Sequence, residues 1–214
     1  MKKLTVPVFP TLDVLELSSL DFVFENKACR ESIDVINWSE FPYKPITVFD
    51  IIRSEKSLYL RYFVRGNSLK ALYSEDNSPV HLDSCVEFFM KRDEDPFYIN
   101  FEFNCIGTCH AERHINRKES TPLSKEELDS IQRYSTIPRR TFPEKQGIYE
   151  WELYIKIPFS VMGLDGKNLP EKIWGNFYKC ADETVSPHYV SWSPIDLKEP
   201  DFHCPPFFGE IFFK

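Results

Sequence analysis

Asp83-Ser84-Cys85-Val86-Glu87-Phe88-Phe89 and, a little further on, Tyr98-Ile99-Asn100-Phe101-Glu102-Phe103-Asn104 are the stretches on which the fold turns. Both are short, aromatic and β-branched, and both carry a carboxylate where a strand is ordinarily apolar. In the second, Ile99, Phe101 and Phe103 share one parity, while Tyr98, Asn100, Glu102 and Asn104 share the other. Successive strand side chains point to opposite faces. One face therefore meets a core, and the other presents a row of polar groups beside an aromatic. Such a row suits a neutral, hydroxyl-rich ligand.

Further strands are expected at 47–50, 57–64, 84–90, 97–103, 149–157, 175–180, 189–192 and 209–213. Turn-forming residues separate them at Arg65-Gly66-Asn67, Asp93-Glu94-Asp95-Pro96 and Leu164-Asp165-Gly166-Lys167. Many short, punctuated strands predict an all-β chain, a two-sheet antiparallel β-sandwich of jelly-roll type, forming one domain over 1–214. One short helix is expected in a polar insertion from Cys105 to Gln146. Ser124-Lys125-Glu126-Glu127 is a capping box, Leu128, Ile131 and Gln132 come next at helical spacing, and Pro138 ends the helix at the latest. An insertion of that length is often functional.

The 214 residues hold 19 phenylalanines and 16 prolines against 7 glycines, enough aromatic area for a large core with some to spare for a surface. The formal net charge of -7 argues against a nucleic-acid partner, since Lys2-Lys3 and Arg139-Arg140 are too short to form a basic patch. No apolar run is long enough to span a membrane. Met1-Lys2-Lys3 resembles the start of an export signal, but Pro7, Pro10 and Asp13 interrupt the apolar stretch such a signal needs. The chain as given reads as cytoplasmic, or as periplasmic or secreted if an export signal has been removed. Six cysteines, at 29, 85, 105, 109, 180 and 204, are expected to be reduced thiols.

Two constellations carry chemistry. Cys105, Cys109, His110 and His114 cluster soft and borderline ligands, but their spacing is not that of a zinc finger, and ordinary core and surface roles are the better reading. Glu87 and Glu102 lie on neighbouring strands. Paired carboxylates serve glycoside hydrolysis, accept hydrogen bonds from sugar hydroxyls, or hold calcium. There is no Gly-x-Ser-x-Gly elbow and no phosphate-binding glycine loop. Trp192 is read as core, and Phe202, in a proline-rich loop with Asp201 and His203, as the exposed aromatic.

The order Trp38, Leu58-Tyr59-Leu60, Asp83 to Phe89, Tyr98 to Asn104, Trp151-Glu152 with Ile157-Pro158, Gly175-Asn176-Phe177-Tyr178, Ser191-Trp192-Ser193-Pro194 and Phe208-Gly209 resembles a family 9 carbohydrate-binding module. The resemblance runs over about 30–214 and is strongest to stand-alone family-9-like proteins. It implies a β-sandwich that binds a sugar or oligosaccharide without catalysis, in the service of carbohydrate catabolism and beside a glycoside hydrolase. It implies a sugar clamped between two aromatic rings, its hydroxyls held by Glu87, by Asn100 and Glu102 on the next strand, and by Lys179. Phe202 falls at the C-terminal clamp position, where the family has tryptophan. The other clamp position falls in Pro79-Val80-His81-Leu82, which offers His81. No cofactor is expected. The family often holds structural calcium, although no stretch here is a clear calcium loop. Two rival functions stand beside this one. The first is a small glycoside hydrolase using Glu87 and Glu102. The second is a haem- or cofactor-binding sandwich with an axial ligand from Lys179, His81, His188 or a methionine.

Overall fold

A computed structural model describes residues 1–213. The first strands are β1 (Lys3–Val6), β2 (Cys29–Ser32), β3 (Val35–Ile36), β4 (Ile46–Arg53) and β5 (Ser57–Ala71). The middle of the chain forms β6 (Cys85–Lys91), β7 (Tyr98–Asn104), β8 (Cys109–Asn116), β9 (Glu119–Pro122) and β10 (Gln132–Ser135). The remainder gives β11 (Phe142–Pro158), β12 (Lys172–Cys180), β13 (Tyr189–Ser191) and β14 (Gly209–Phe213). One sheet has the order β1-β14-β12-β6-β7-β8-β9, with β13 and β3 extending from β12. The other has the order β10-β11-β5-β4-β2. No helix is long and apolar enough to cross a membrane.

The inner faces form the main core, as the alternation predicts. Phe88, Phe101, Phe103 and Phe177 come from the first sheet and Phe49, Leu58, Leu60 and Tyr62 from the second, all fully buried. The rings of Phe49 and Phe177 stack across the interface at 3.8 Å. Trp192 is buried here too. It explains the glycine of Phe208-Gly209, because a Cβ at Gly209 would sit 2.4 Å from the Trp192 ring and 2.7 Å from the Lys2 carbonyl.

The structure corrects several expectations. Arg65-Gly66-Asn67 is not a turn but the middle of β5, which runs on to pair Ala71 with Phe142 of β11. Continuous pairing with a long neighbour overrides the local turn chemistry. One strand pair is parallel, β1 on β14. The stretch from Cys105 to Gln146 is no structureless insertion, because β8, β9, β10 and the start of β11 lie in it. A helix without a sequence expectation, α1 (Asp21–Lys27), covers the outer face of the second sheet. It packs Leu20, Val23 and Phe24 on Ile52, Tyr59 and Tyr154. The capped helix, α2 (Lys125–Ser130), forms as expected with both capping-box bonds, but ends before Ile131, well short of Pro138.

All six cysteines are free thiols. Cys105 and Cys109 point into the core, whereas His110 and His114 point outward from β8. The four therefore do not converge on a metal.

Candidate functional site

The outer face of the first sheet carries the polar row, and a cavity of about 260 Å³ lies over it. Its floor is the strand trio β12, β6 and β7. Register pairs Glu87 with Glu102 and Cys180 with Cys85, so these side chains rise from one face. One wall is β8, which presents His110, Glu112 and His114 at alternate positions, with Arg117 beyond it. The loop Pro200 to His203 adjoins that wall, with His203 against His114 and Asp201 paired with Arg117, and His81, Asp182 and Tyr189 complete the rim. Four of the chain's five histidines line this cavity.

The Asp-Ser pair that opens β6 has a local task. The Asp83 carboxylate, fully buried, accepts from the backbone N–H groups of Leu72 and Tyr73 and from the Asn104 amide. Asn104 in turn accepts from the N–H groups of Ile106 and Thr108. These two residues close the strand ends and leave the cavity to Glu87, Asn100 and Glu102. Asn100 is fixed at both ends of its amide: Oδ1 accepts from the Glu112 N–H at 2.7 Å and Nδ2 donates to Glu102 Oε1 at 2.8 Å.

The two glutamates differ in charge state. Burial, reinforced by the charge of Glu102, pushes the Glu87 carboxyl well above the ordinary carboxylate range. Burial acts on Glu102 as well, but His81, 3.7 Å away, and the histidines behind it outweigh burial and hold its carboxyl below that range. His81 is raised reciprocally, first by its ionic pairing with Glu102, whose Oε2 lies 3.7 Å from Nδ1, beyond hydrogen-bond distance. Burial raises Asp182 to about 6 and lowers His203 to about 4. The cavity thus holds donors and acceptors in neighbouring, unlike protonation states.

Several of its polar atoms have no hydrogen-bond partner. Glu102 Oε2, His110 Nδ1, both ring nitrogens of His114 and Asp182 Oδ1 are buried in this condition, and they make up most of such atoms among the described residues. Buried polar groups are ordinarily bonded, so a cluster of orphans in one cavity marks a place where a ligand or water completes them.

Of the six residues singled out in the sequence, five line the cavity: His81, Glu87, Asn100, Glu102 and Phe202. Lys179 does not. Its parity on β12 is that of Phe177, toward the sandwich interior, and its ammonium donates to the Cys180 carbonyl at 2.6 Å and bonds His188 Nε2 at 3.0 Å. Burial lowers its pKa. Phe202 reaches the cavity but is no exposed platform. Its ring lies flat on Tyr178 at 4.0 Å and is 9% exposed. No tryptophan lines the cavity; the imidazole of His114 is buried between Tyr98, stacked at 5.1 Å, and His203, at 4.7 Å, and His203 is bonded to the Tyr98 hydroxyl at 3.0 Å.

The sequence reading missed Glu112, Arg117, Asp182, Tyr189 and Asp201 as lining residues. It also weighed His110 and His114 only as metal ligands. The signal for three of these was present in Cys109-His110-Ala111-Glu112-Arg113-His114, whose polar parity matches that of β7. Among the described residues, the one group of three His, Cys, Asp or Glu side chains whose ligand atoms converge is Cys85, Glu87 and Cys180, two thiols and a carboxylate. Of the named axial-ligand candidates for haem, Lys179 and His188 bond each other away from the cavity.

The architecture is that of a two-sheet β-sandwich. The sequence profile of carbohydrate-binding family 9 matches residues 19–213, and the chain belongs to that family. A candidate carbohydrate-binding protein from Bacteroides uniformis is 35% identical, with a TM-score of 0.92, and the match covers 100% of this chain and 99% of that one. A family 9 module from Caldicellulosiruptor kristjanssonii, solved with glucose, is 12% identical with a TM-score of 0.61, over 100% of this chain and 96% of that one. The module from the same organism solved with cellotriose gives the same identity and TM-score, with 94% of that chain covered. At that identity the likeness concerns the fold. No curated protein matches.

Proposed function

We propose that the chain binds carbohydrate without catalysis, in the cavity over β6, β7 and β8. The observation that carries this reading is the orphaned set of buried donors and acceptors on Glu102, His110, His114 and Asp182, gathered around a space of about 260 Å³. A sugar hydroxyl both donates and accepts, so one ring can answer unlike partners at once. The space falls below the ~300–1,000 Å³ typical of pockets for drug-sized ligands. It suits a single sugar ring or the terminal ring of an oligosaccharide. The imidazoles of His81 and His203 at the rim take the place of a tryptophan clamp. Action beside a glycoside hydrolase is part of the same proposal.

The pair Glu87 and Glu102, one carboxyl pushed up by burial and the other held down by histidines, favours the hydrolase as a second reading. A glycan array and then calorimetry separate them. The parent should bind at least one sugar and release no reducing ends from oligosaccharides. Glu102→Gln should weaken binding ~10- to 150-fold, the equivalent of ~1.5–3 kcal/mol for a hydrogen bond to a charged group, at an unchanged melting temperature. A parent that binds no sugar sinks the proposal, and turnover abolished by Glu102→Gln establishes the hydrolase instead.

A further inference from the structure

Three side chains at and just beneath the cavity floor converge on one another. Cys85 opens β6, and Glu87, two residues on, shares its face. Cys180 closes β12 and is the register partner of Cys85, so the two thiols meet across the strand pair. The Glu87 carboxylate turns back toward both. Its Oε1 lies 3.0 Å from Cys180 Sγ and 3.9 Å from Cys85 Sγ, and the three potential ligand atoms all fall within 4.8 Å of one another. All three residues are buried. The carboxylate makes no ion pair among the described residues, and its only side-chain hydrogen-bond donors are the two thiols, which are weak ones. A buried carboxyl so poorly provided for is costly.

We propose that Cys85, Cys180 and Glu87 bind a soft divalent cation of the zinc class, with the fourth coordination position open to the cavity. The donor set is two sulfurs and one oxygen, which excludes calcium and magnesium and suits zinc or cobalt. Tetrahedral bonds of ~2.3 Å to sulfur and ~2.0 Å to oxygen place ligand atoms about 3.5–3.8 Å apart. Shifts of less than about an ångström bring the present atoms to that spacing. Glu87 and Cys180 line the cavity, so an ion has a route in and a free position for water or a hydroxyl. Each thiol gives its proton to solvent on binding, as does Glu87 when protonated. Two thiolates and a carboxylate then offset the dication.

The test uses the metal alone, so its outcome does not depend on any sugar being bound. Cobalt(II) added to the reduced parent should give a thiolate-to-metal charge-transfer band and tetrahedral d–d bands that saturate at one ion per chain and disappear on adding zinc. Native mass measurement should show one metal gained with at least two protons lost. Cys85→Ser and Cys180→Ser should abolish the band, Glu87→Gln should weaken binding at least tenfold, and Cys29→Ser, on β2 of the other sheet, should leave it intact. Absence of band and adduct in the parent overturns the proposal, as does a band that survives both serine variants. Should a serine variant fail to fold, the parent's stoichiometry, proton release and rise in melting temperature with zinc still decide the matter.

Discussion

The two outer faces of the sandwich each carry a cluster of buried charge, and the clusters are built on opposite terms. On the second sheet, Arg61 is buried and donates to Asp50 Oδ2 at 2.8 Å and to Glu25 at 2.5 Å, while Arg30 holds the other Asp50 oxygen at 2.7 Å. The helix α1 brings Asp21 and Glu25 to the cluster, and the single hydroxyl proton of Tyr154 is shared between Asp21 and Glu152, which lie 3.9 Å and 4.0 Å from the Arg61 guanidinium. Every carboxylate there has a guanidinium or hydroxyl donor. On the first sheet, Glu87 has two thiols, while Glu102 Oε2, Asp182 and two histidines keep atoms without hydrogen bonds. Burial of charge is thus common to structure and to site, and completion of its bonding is what separates them.

Arg61→Ala should show the largest effect. It removes the cation between Asp50 and Glu25 and leaves Asp50 with Arg30 alone. Breaking a buried pair in this way costs about 3 kcal/mol or more of unfolding free energy, read by urea titration. Sugar affinity should not change, because the cluster lies on the far sheet. A loss below about 1 kcal/mol would mean the network is as weak as a surface one, and the contrast between the faces would collapse.

Acid should act on the two faces at different pH. Burial holds His203 near 4 in the folded chain against 6.5 unfolded. The unfolded chain takes up the proton first, so stability present above pH 6.5 is lost as pH falls toward 4. Glu25 is held at about 2, by Arg30 first and then Arg61, against 4.5 unfolded, so its share is lost only below 4.5. Asp182, raised to about 6, and Glu87, also raised, act in the opposite sense between pH 6.5 and 4.5, because the folded chain takes up their protons first. The share of His203 is therefore read as a difference: across that window unfolding free energy should fall more, or rise less, in the parent than in His203→Gln, by a few kcal/mol at most. Parallel slopes in parent and variant would refute the assignment.

The smallest effect belongs to the capped helix. Ser124→Ala removes the bond to the Glu127 N–H and should cost ~1 kcal/mol. It should leave sugar affinity untouched, since no residue of α2 lines the cavity. A change in affinity would tie the helix to the site after all.

The same contrast governs how much of the molecule is legible in its sequence. Strands buried on one face announce themselves by alternation, and 57–64, 84–90 and 97–103 all overlap observed strands. Strands held mainly by edge hydrogen bonds do not, as with Glu119-Ser120-Thr121-Pro122, exposed throughout, so β8 to β10 read as an insertion. Four cavity residues, His81, Glu87, Asn100 and Glu102, are legible because a carboxylate, an amide or an imidazole in an aromatic strand or its flank is conspicuous. Lys179 misleads because a lysine is expected to face out. Its inward parity is tolerable only because the Cys180 carbonyl and His188 receive its ammonium, and the imidazole is brought there by tertiary packing. Phe202 misleads because nothing local shows that Tyr178 will cover its ring.

The parallel pairing of β1 with β14 has a mechanical consequence. Lys3 lies beside Glu210 and Val6 beside Phe213, so the two strands run the same way. A pull applied at the start of β1 and the end of β14 acts along both strands in opposite senses. It loads their hydrogen bonds together in shear, rather than one after another as in a peeled hairpin. Stretched between those two points, the sandwich should yield only at high force, with rupture at this strand pair as the first event and the cavity, whose nearest floor strand, β12, lies two strands from β1 along the sheet order, still assembled when it comes.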